Sequence, residues 1–298
     1  MAGGSVASRS AGRAVAVAAA MMAVVLAVLG LPACIGVAPG GTAHDPNTSG
    51  RLPRLLAVAR AAWHDWGEQT VVVARDGRFC ALIDGDCTVV DDGCGLEQAP
   101  AQCPLVDDYW DSVRGASGIH FAHDCSRAPV CRARWPADAV VPPIDTPAWS
   151  AAFISTMMAR AGFDRAAFRQ TPYHADYVVA ARDRSTWAFD LVPTPARAEP
   201  GDLVCTTRFA KRPQLTPAEI DRILPSTVPG GPTPMHCDLV IAVDPAAHRL
   251  DAVGGNVMQA VSRVVIDLDD DGRVSPVLNP ARPWLLVLKL APRYRPSH

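Results

Sequence analysis

The sequence predicts an α+β domain, helices first and an antiparallel sheet after them, carried behind a cleaved N-terminal export segment. Three observations predict it. Apolar residues recur at helical spacing in two early stretches. From Gly201 onward the period shifts to short strand-like runs separated by turn residues. Before all of these lies an apolar run, Ala14 to Leu29, preceded by Arg9 and Arg13 and with no acidic residue before Asp45.

The N-terminal segment reads as a signal peptide over residues 1–33. Its end, Leu31-Pro32-Ala33-Cys34, resembles the lipobox of bacterial lipoproteins, which implies lipidation of Cys34. Residues 34–50 are rich in Gly, Pro, Thr and Asn, a composition suited to a flexible tether. The implied address is the cell envelope, held to a membrane through the lipid. Ile35 follows the cysteine in place of an Asp that would signal inner-membrane retention, which points to the outer membrane facing the periplasm.

Beyond the tether, Leu55, Leu56, Ala59, Ala62, Trp63 and Trp66 mark one helix face, and Gly67 stops the helix. Residues 70–143 read as an irregular, cysteine-rich insertion in which short strand-like runs such as Thr70 to Ala74 alternate with Gly, Asp and Cys clusters, and Tyr109, Trp110 and Trp135 are packing residues. A second helix follows. Asp145 or Thr146 is its expected N-cap and Pro147 suits its first position; Trp149, Phe153, Met157 and Ala161 form its face, and Gly162 ends it. Strands are expected over 203–205, 239–243, 250–253, 261–268 and 284–290, joined by Asp244-Pro245, Gly254-Gly255 and Asp271-Gly272. Short connections favour antiparallel pairing. The Pro-rich stretch 206–235 reads as a surface loop with a short helix near 217–224. The globular domain spans 51–292, and 293–298 is a tail.

The 298 residues, 49% of them hydrophobic, are enough to bury a sizeable core. A net charge of −2 argues against a nucleic-acid partner, which calls for a basic surplus. Of nine cysteines, Cys34 belongs to the lipobox. The other eight are Cys80, Cys87, Cys94, Cys103, Cys125, Cys131, Cys205 and Cys237. An even number in an exported chain predicts disulfides, at least three here, with Cys125–Cys131 and local pairs among the first four favoured by proximity. Zinc is the weaker reading, because no Cys-x-x-Cys pair occurs. Asp267, Asp269, Asp271 and Gly272 open like a calcium-binding loop. The twelfth position is Leu278 where a bidentate Glu is required, so a hairpin turn is the better account. No metal and no cofactor is expected.

Four segments join the second helix to the sheet: Trp149-Ser150-Ala151-Ala152-Phe153-Ile154-Ser155, Pro200-Gly201-Asp202-Leu203-Val204, His236-Cys237-Asp238-Leu239-Val240 and Gly254-Gly255-Asn256-Val257. Together they resemble the CHAP and NlpC-type amidase/peptidase superfamily, whose compact papain-like fold carries Trp-Cys-Ala-x-Phe-Val at a helix start. A Pro-Gly-Asp strand, a strand beginning in His and a Gly-Asn turn complete the resemblance. The chain also resembles the bacterial family catalogued as domain of unknown function 2272 over roughly residues 50–292, including Tyr173-His174-Ala175-Asp176-Tyr177.

The superfamily resemblance implies a helix-borne nucleophile, a His base on the adjacent strand and a polar residue orienting that His. Carried over by position, Ser150 takes the nucleophile slot, His236 the base and Asn256 the orienter. Asp238 is a second orienter candidate, since on a strand it shares a face with His236. Cys237 then points the other way, towards a pairing with Cys205. Ser150 stands where the superfamily has Cys, and a hydroxyl needs a well-placed base. His174 reads either as a cleft residue or as a structural hydrogen-bonding His. Two function classes follow. One is a hydrolase acting on an amide bond, with peptidoglycan as the implied substrate. The other is an inert module in which a cleft around Trp149, His174 and His236 binds cell-wall peptide or an envelope protein.

Overall fold

The computed structural model describes residues 50–73, 79–83, 86–88, 97, 101–114, 148–208, 224, 234–278 and 282–296. Outside them lie the signal peptide, Cys34 and almost all of the tether. So do Cys94, Cys125, Cys131, Trp135, the expected cap Asp145-Thr146-Pro147 and the proposed helix near 217–224, apart from Leu224.

The class is α+β, as expected. The helices are α1 (Arg51–Asp65), α2 (Cys103–Val113), α3 (Ser150–Arg160) and α4 (His174–Arg182). The strands are β1 (Thr70–Val73), β2 (Phe79–Ile83), β3 (Asp86–Thr88), β4 (Phe189–Pro193), β5 (Leu203–Thr207), β6 (Met235–Asp244), β7 (Arg249–Val257), β8 (Ala260–Asp267) and β9 (Leu286–Leu290). Among the described residues they form one sheet in the order β3-β2-β1-β8-β7-β6-β5-β9-β4. The sheet is mixed, where the sequence predicts a wholly antiparallel one: β1 runs parallel to β8, pairing Val71 with Val264.

The described part of the cysteine-rich region holds regular elements. It supplies β1, β2 and β3, the three strands at one end of the sheet, and α2, whose Val106, Tyr109, Trp110 and Val113 are buried at helical spacing. Its cystines and turn residues mask that period in the sequence. Cys80 pairs with Cys87 across β2–β3, and Cys103 is disulfide-bonded to a cysteine outside the described residues.

The two faces of the sheet bury separate cores. On one face α1, α2, α3 and α4 pack over Leu203, Cys205, Cys237, Leu239 and Val253. The other face gathers Val204, Val240, Ala252, Val264, Trp284 and Val287. Strand alternation explains the division. Cys205 and Cys237 lie opposite each other on β5 and β6 and form a disulfide on the helical face. His236 and Asp238, the residues flanking Cys237, alternate with it along β6.

Two sequence motifs prove to be architectural. In Pro200-Gly201-Asp202, Gly201 has φ +94°, and a Cβ there would press against Leu52 and Leu290; only glycine suits such a site. In the Asp269–Gly272 turn, the Asp269 carboxylate accepts the backbone N–H groups of Asp271 (3.0 Å) and Arg273 (2.8 Å). That is an Asx-type turn, which accounts for the acidic run.

Candidate functional site

Helix α3 starts at Ser150 because Trp149 before it is locked in place. The Trp149 indole is fully buried, stacked on Trp66 and Tyr109 with ring centroids 5.2 and 5.5 Å away, and its N–H donates to Glu97 Oε2 at 2.6 Å. Trp149 is thus a core anchor, and the expectation that it lines a cleft is corrected. Glu97, from the cysteine-rich region, is a positioning residue that sequence reasoning missed. On the sheet side, a Cβ at Gly255 would lie 2.5 Å from Phe153 Cβ and 2.8 Å from Trp149 Cζ3. The Gly-Gly pair lets the start of α3 approach β7 closely.

Helix α4 brings the second group. Thr171 Oγ1 donates to Asp176 in the first turn of α4 at 2.7 Å, and the Thr171 backbone is tied to Ser155 of α3. These ties set His174, the first residue of α4, against the start of α3. Ser150 Oγ lies 2.6 Å from His174 Nε2. His174 Nδ1 is hydrogen-bonded to the hydroxyl of Tyr177, three residues on and on the same helix face. Arg208 Nη2 donates to Ser150 Oγ at 3.3 Å. With Arg208 donating to the serine oxygen, the matching tautomer has His174 donating from Nδ1 to Tyr177 and accepting the serine proton at Nε2.

His236 makes a different pair. Its Nε2 donates to Asp238 Oδ1 at 2.6 Å, and Arg282 Nη2 reaches Asp238 Oδ2 at 3.4 Å. The His236 and His174 rings are neighbours, with centroids 5.2 Å apart. Among the described residues, Ser150 and His236 share no hydrogen bond, so the serine's imidazole partner is His174. Asn256 makes no side-chain hydrogen bond there either. It sits at φ +53° in the β7–β8 irregularity, a conformation that asparagine tolerates better than most residues. The side chain hydrogen-bonded to His236 is Asp238.

The electrostatics separate the groups. Burial holds His174 well below the usual histidine range, and His236, Arg208 and Arg282 add to the effect. Burial also lowers His236, to about 4; Asp238 opposes the shift while Arg282 and Arg208 reinforce it. Burial pushes Asp238 up, but His236 and Arg282 outweigh it and hold the carboxyl below its ordinary value. Tyr177 is raised well above the phenol range, chiefly by burial and then by Asp238. At neutral pH the described residues of the centre are therefore two neutral imidazoles, one carboxylate and two guanidiniums. A neutral imidazole accepting from a hydroxyl at a helix N-terminus can take that proton and leave an alkoxide stabilised by the helix dipole and by Arg208. Among the described residues no cluster of His, Cys, Asp and Glu has the makings of a metal site.

A family profile described as an uncharacterized protein conserved in bacteria, DUF2272, matches residues 98–290, well over half of the chain. The chain belongs to this family. The DUF2272 match runs from just after Glu97 through α2 and the Ser150 and His174 helices to the end of β9. No curated protein and no solved structure matches the chain. No described helix is long and apolar enough to cross a membrane, and the disulfides are consistent with an exported protein.

Proposed function

We propose that this DUF2272 protein is a lipid-anchored, cell-envelope hydrolase of papain-like descent. In this reading it cleaves an amide bond, with peptidoglycan peptide as the substrate class. Ser150 is the nucleophile and His174 its base. The observation that supports this most is the 2.6 Å contact between Ser150 Oγ and His174 Nε2 at the start of α3. In the proposed step Oγ bonds to the acyl carbon while its proton passes to His174 Nε2. The tetrahedral adduct then expels the amine, which leaves with that proton. Water hydrolyses the acyl-serine and restores the hydroxyl. Tyr177 orients His174, and the His236–Asp238 pair forms the adjoining wall.

A second reading, an inert module binding cell-wall peptide or an envelope protein, draws support from burial: Ser150 is only 1% exposed. One experiment separates the two. The chain is extracted from the envelope, treated with a fluorophosphonate and weighed intact. The hydrolase reading expects one adduct, mapped to Ser150 and absent from Ser150→Ala and His174→Asn, together with the mass of a lipidated Cys34. A folded, lipidated chain that takes up no adduct would leave the binding reading in its place. A mature N-terminus other than Cys34, carrying no lipid, would remove the anchor.

A further inference from the structure

Arg208 is unlike the other charged residues around Ser150. It leaves the chain one residue beyond β5, and its backbone N–H donates to Pro234 O at 2.8 Å, continuing the β5–β6 ladder past the Thr206–His236 pair. The ladder carries its guanidinium over the start of α3, where it donates to Ser150 Oγ. The residue as a whole is exposed, but its contact with the buried serine is partly enclosed: burial lowers the guanidinium below its ordinary value, and Asp238 opposes the shift. No carboxylate among the described residues pairs with it. Arg282, the other guanidinium, is engaged on Asp238 at 3.4 Å, and Asp238 is itself taken by His236. Among the described residues the centre brings together two guanidiniums and one carboxylate. Of the two guanidinium residues, Arg208 is the exposed one and the one in contact with the proposed nucleophile.

We infer that Arg208 is an anion-recognition residue, and that the site takes acyl compounds whose leaving group bears a free carboxylate, such as peptides cleaved one residue from their C-terminus. The inference rests on the hydrolase reading for the cleavage and on geometry for the recognition. A guanidinium–carboxylate hydrogen bond is about 2.8 Å long, and one residue advances the chain by about 3.8 Å. A cation touching the nucleophile's oxygen therefore reaches the α-carboxylate of the residue just after the scissile bond and falls short of one further along. Guanidinium suits this task because its planar fork matches a carboxylate bidentately, which an ammonium cannot do.

The test uses N-acetyl-Ala-Ala as the free acid and as its C-terminal amide, each in L,L and D,D form. They are titrated into the full chain and into its Ser150→Ala variant, with the His174 and His236 ring signals followed by NMR. At least one free acid should bind saturably, with its amide weaker by about tenfold or more, the loss expected of a charge-assisted hydrogen bond. Arg208→Gln should weaken the acid by a similar factor and the amide by much less, and Arg208→Lys should recover only part of the loss. Acid and amide binding alike, acid binding untouched by Arg208→Gln, or no binding by any probe would each overturn the inference. The two readings fail separately. Arg208-dependent acid binding in a chain that fluorophosphonate does not label would leave the anion site and remove the hydrolase. Labelling of Ser150 without acid preference would do the reverse.

Discussion

Asp202 and Asp238 are both completely buried, at the edge of β5 and within β6, and both have cationic neighbours. They nevertheless do different work. The Asp202 carboxylate accepts the backbone N–H groups of Glu199 and Leu290, each at 2.8 Å, Lys289 Nζ at 2.6 Å and the guanidinium of Arg295. It ties three chain segments together and has no contact with the Ser150 centre. Among the described residues Asp238 accepts from one imidazole and one guanidinium and ties no backbone. Burial raises the Asp202 carboxyl despite Lys289 and Arg295, whereas at Asp238 the His236 and Arg282 charges prevail and lower it. A buried carboxylate is thus diagnosed by what it accepts. Backbone donors make it a clamp, and side-chain donors make it part of a site.

The largest expected effect lies on the clamp. Asp202→Ala strands two buried N–H groups and two cations and should cost roughly 3–5 kcal/mol of unfolding free energy in urea titrations. A loss below about 1 kcal/mol would place Asp202 among surface ion pairs.

Next comes the pH dependence of the site. His236 is held near 4, below the roughly 6.5 of an unfolded histidine, so between those values the unfolded chain binds the extra proton. Stability should fall by about 3 kcal/mol as pH drops from about 6.5 to about 4, and further where the lowered Asp238 begins to protonate. His174 shifts in the same direction. Asp202, being raised, has the opposite sign: its contribution is present at low pH and lost as pH rises through its folded value. His236→Gln should reduce the slope between 6.5 and 4 to the part that His174 contributes when urea titrations are repeated across pH. An unchanged slope would show that His236 is not held neutral.

The smallest effect is steric. Gly254 lies opposite Asp238, and a Cβ there would overlap Asp238 Oδ1. Gly254→Ala should cost about 1–3 kcal/mol, typical of overpacking, and should move the His236 ring signals, while Gly272→Ala, with open space around it, should leave them in place.

Much was legible from sequence: α1, the body of α3, and the strands from β5 to β9 except their exact ends, because amphipathic period and turn chemistry are local properties. The Cys205–Cys237 pairing and the shared face of His236 and Asp238 also followed from strand alternation. Helix α2 was written at Val106, Tyr109, Trp110 and Val113 but was hidden by its cysteine-rich setting. The His174–Tyr177 pair carried a signal too, a three-residue spacing that fits one helix face once α4 is recognised.

Other features had no local signature. Ser150 meets His174 across 24 residues because Thr171, Ser155 and Asp176 fasten α4 to α3. Arg208 reaches Ser150 only because the β5–β6 register aligns Thr206 with His236. By itself the sequence determined the α+β class, the disulfide chemistry and the residue types gathered for the site, since composition and period settle those. The tertiary structure alone decided which histidine faces the serine and which carboxylate is a clamp. A hydrogen bond is set by ångström-scale packing between distant segments, and sequence spacing does not encode it.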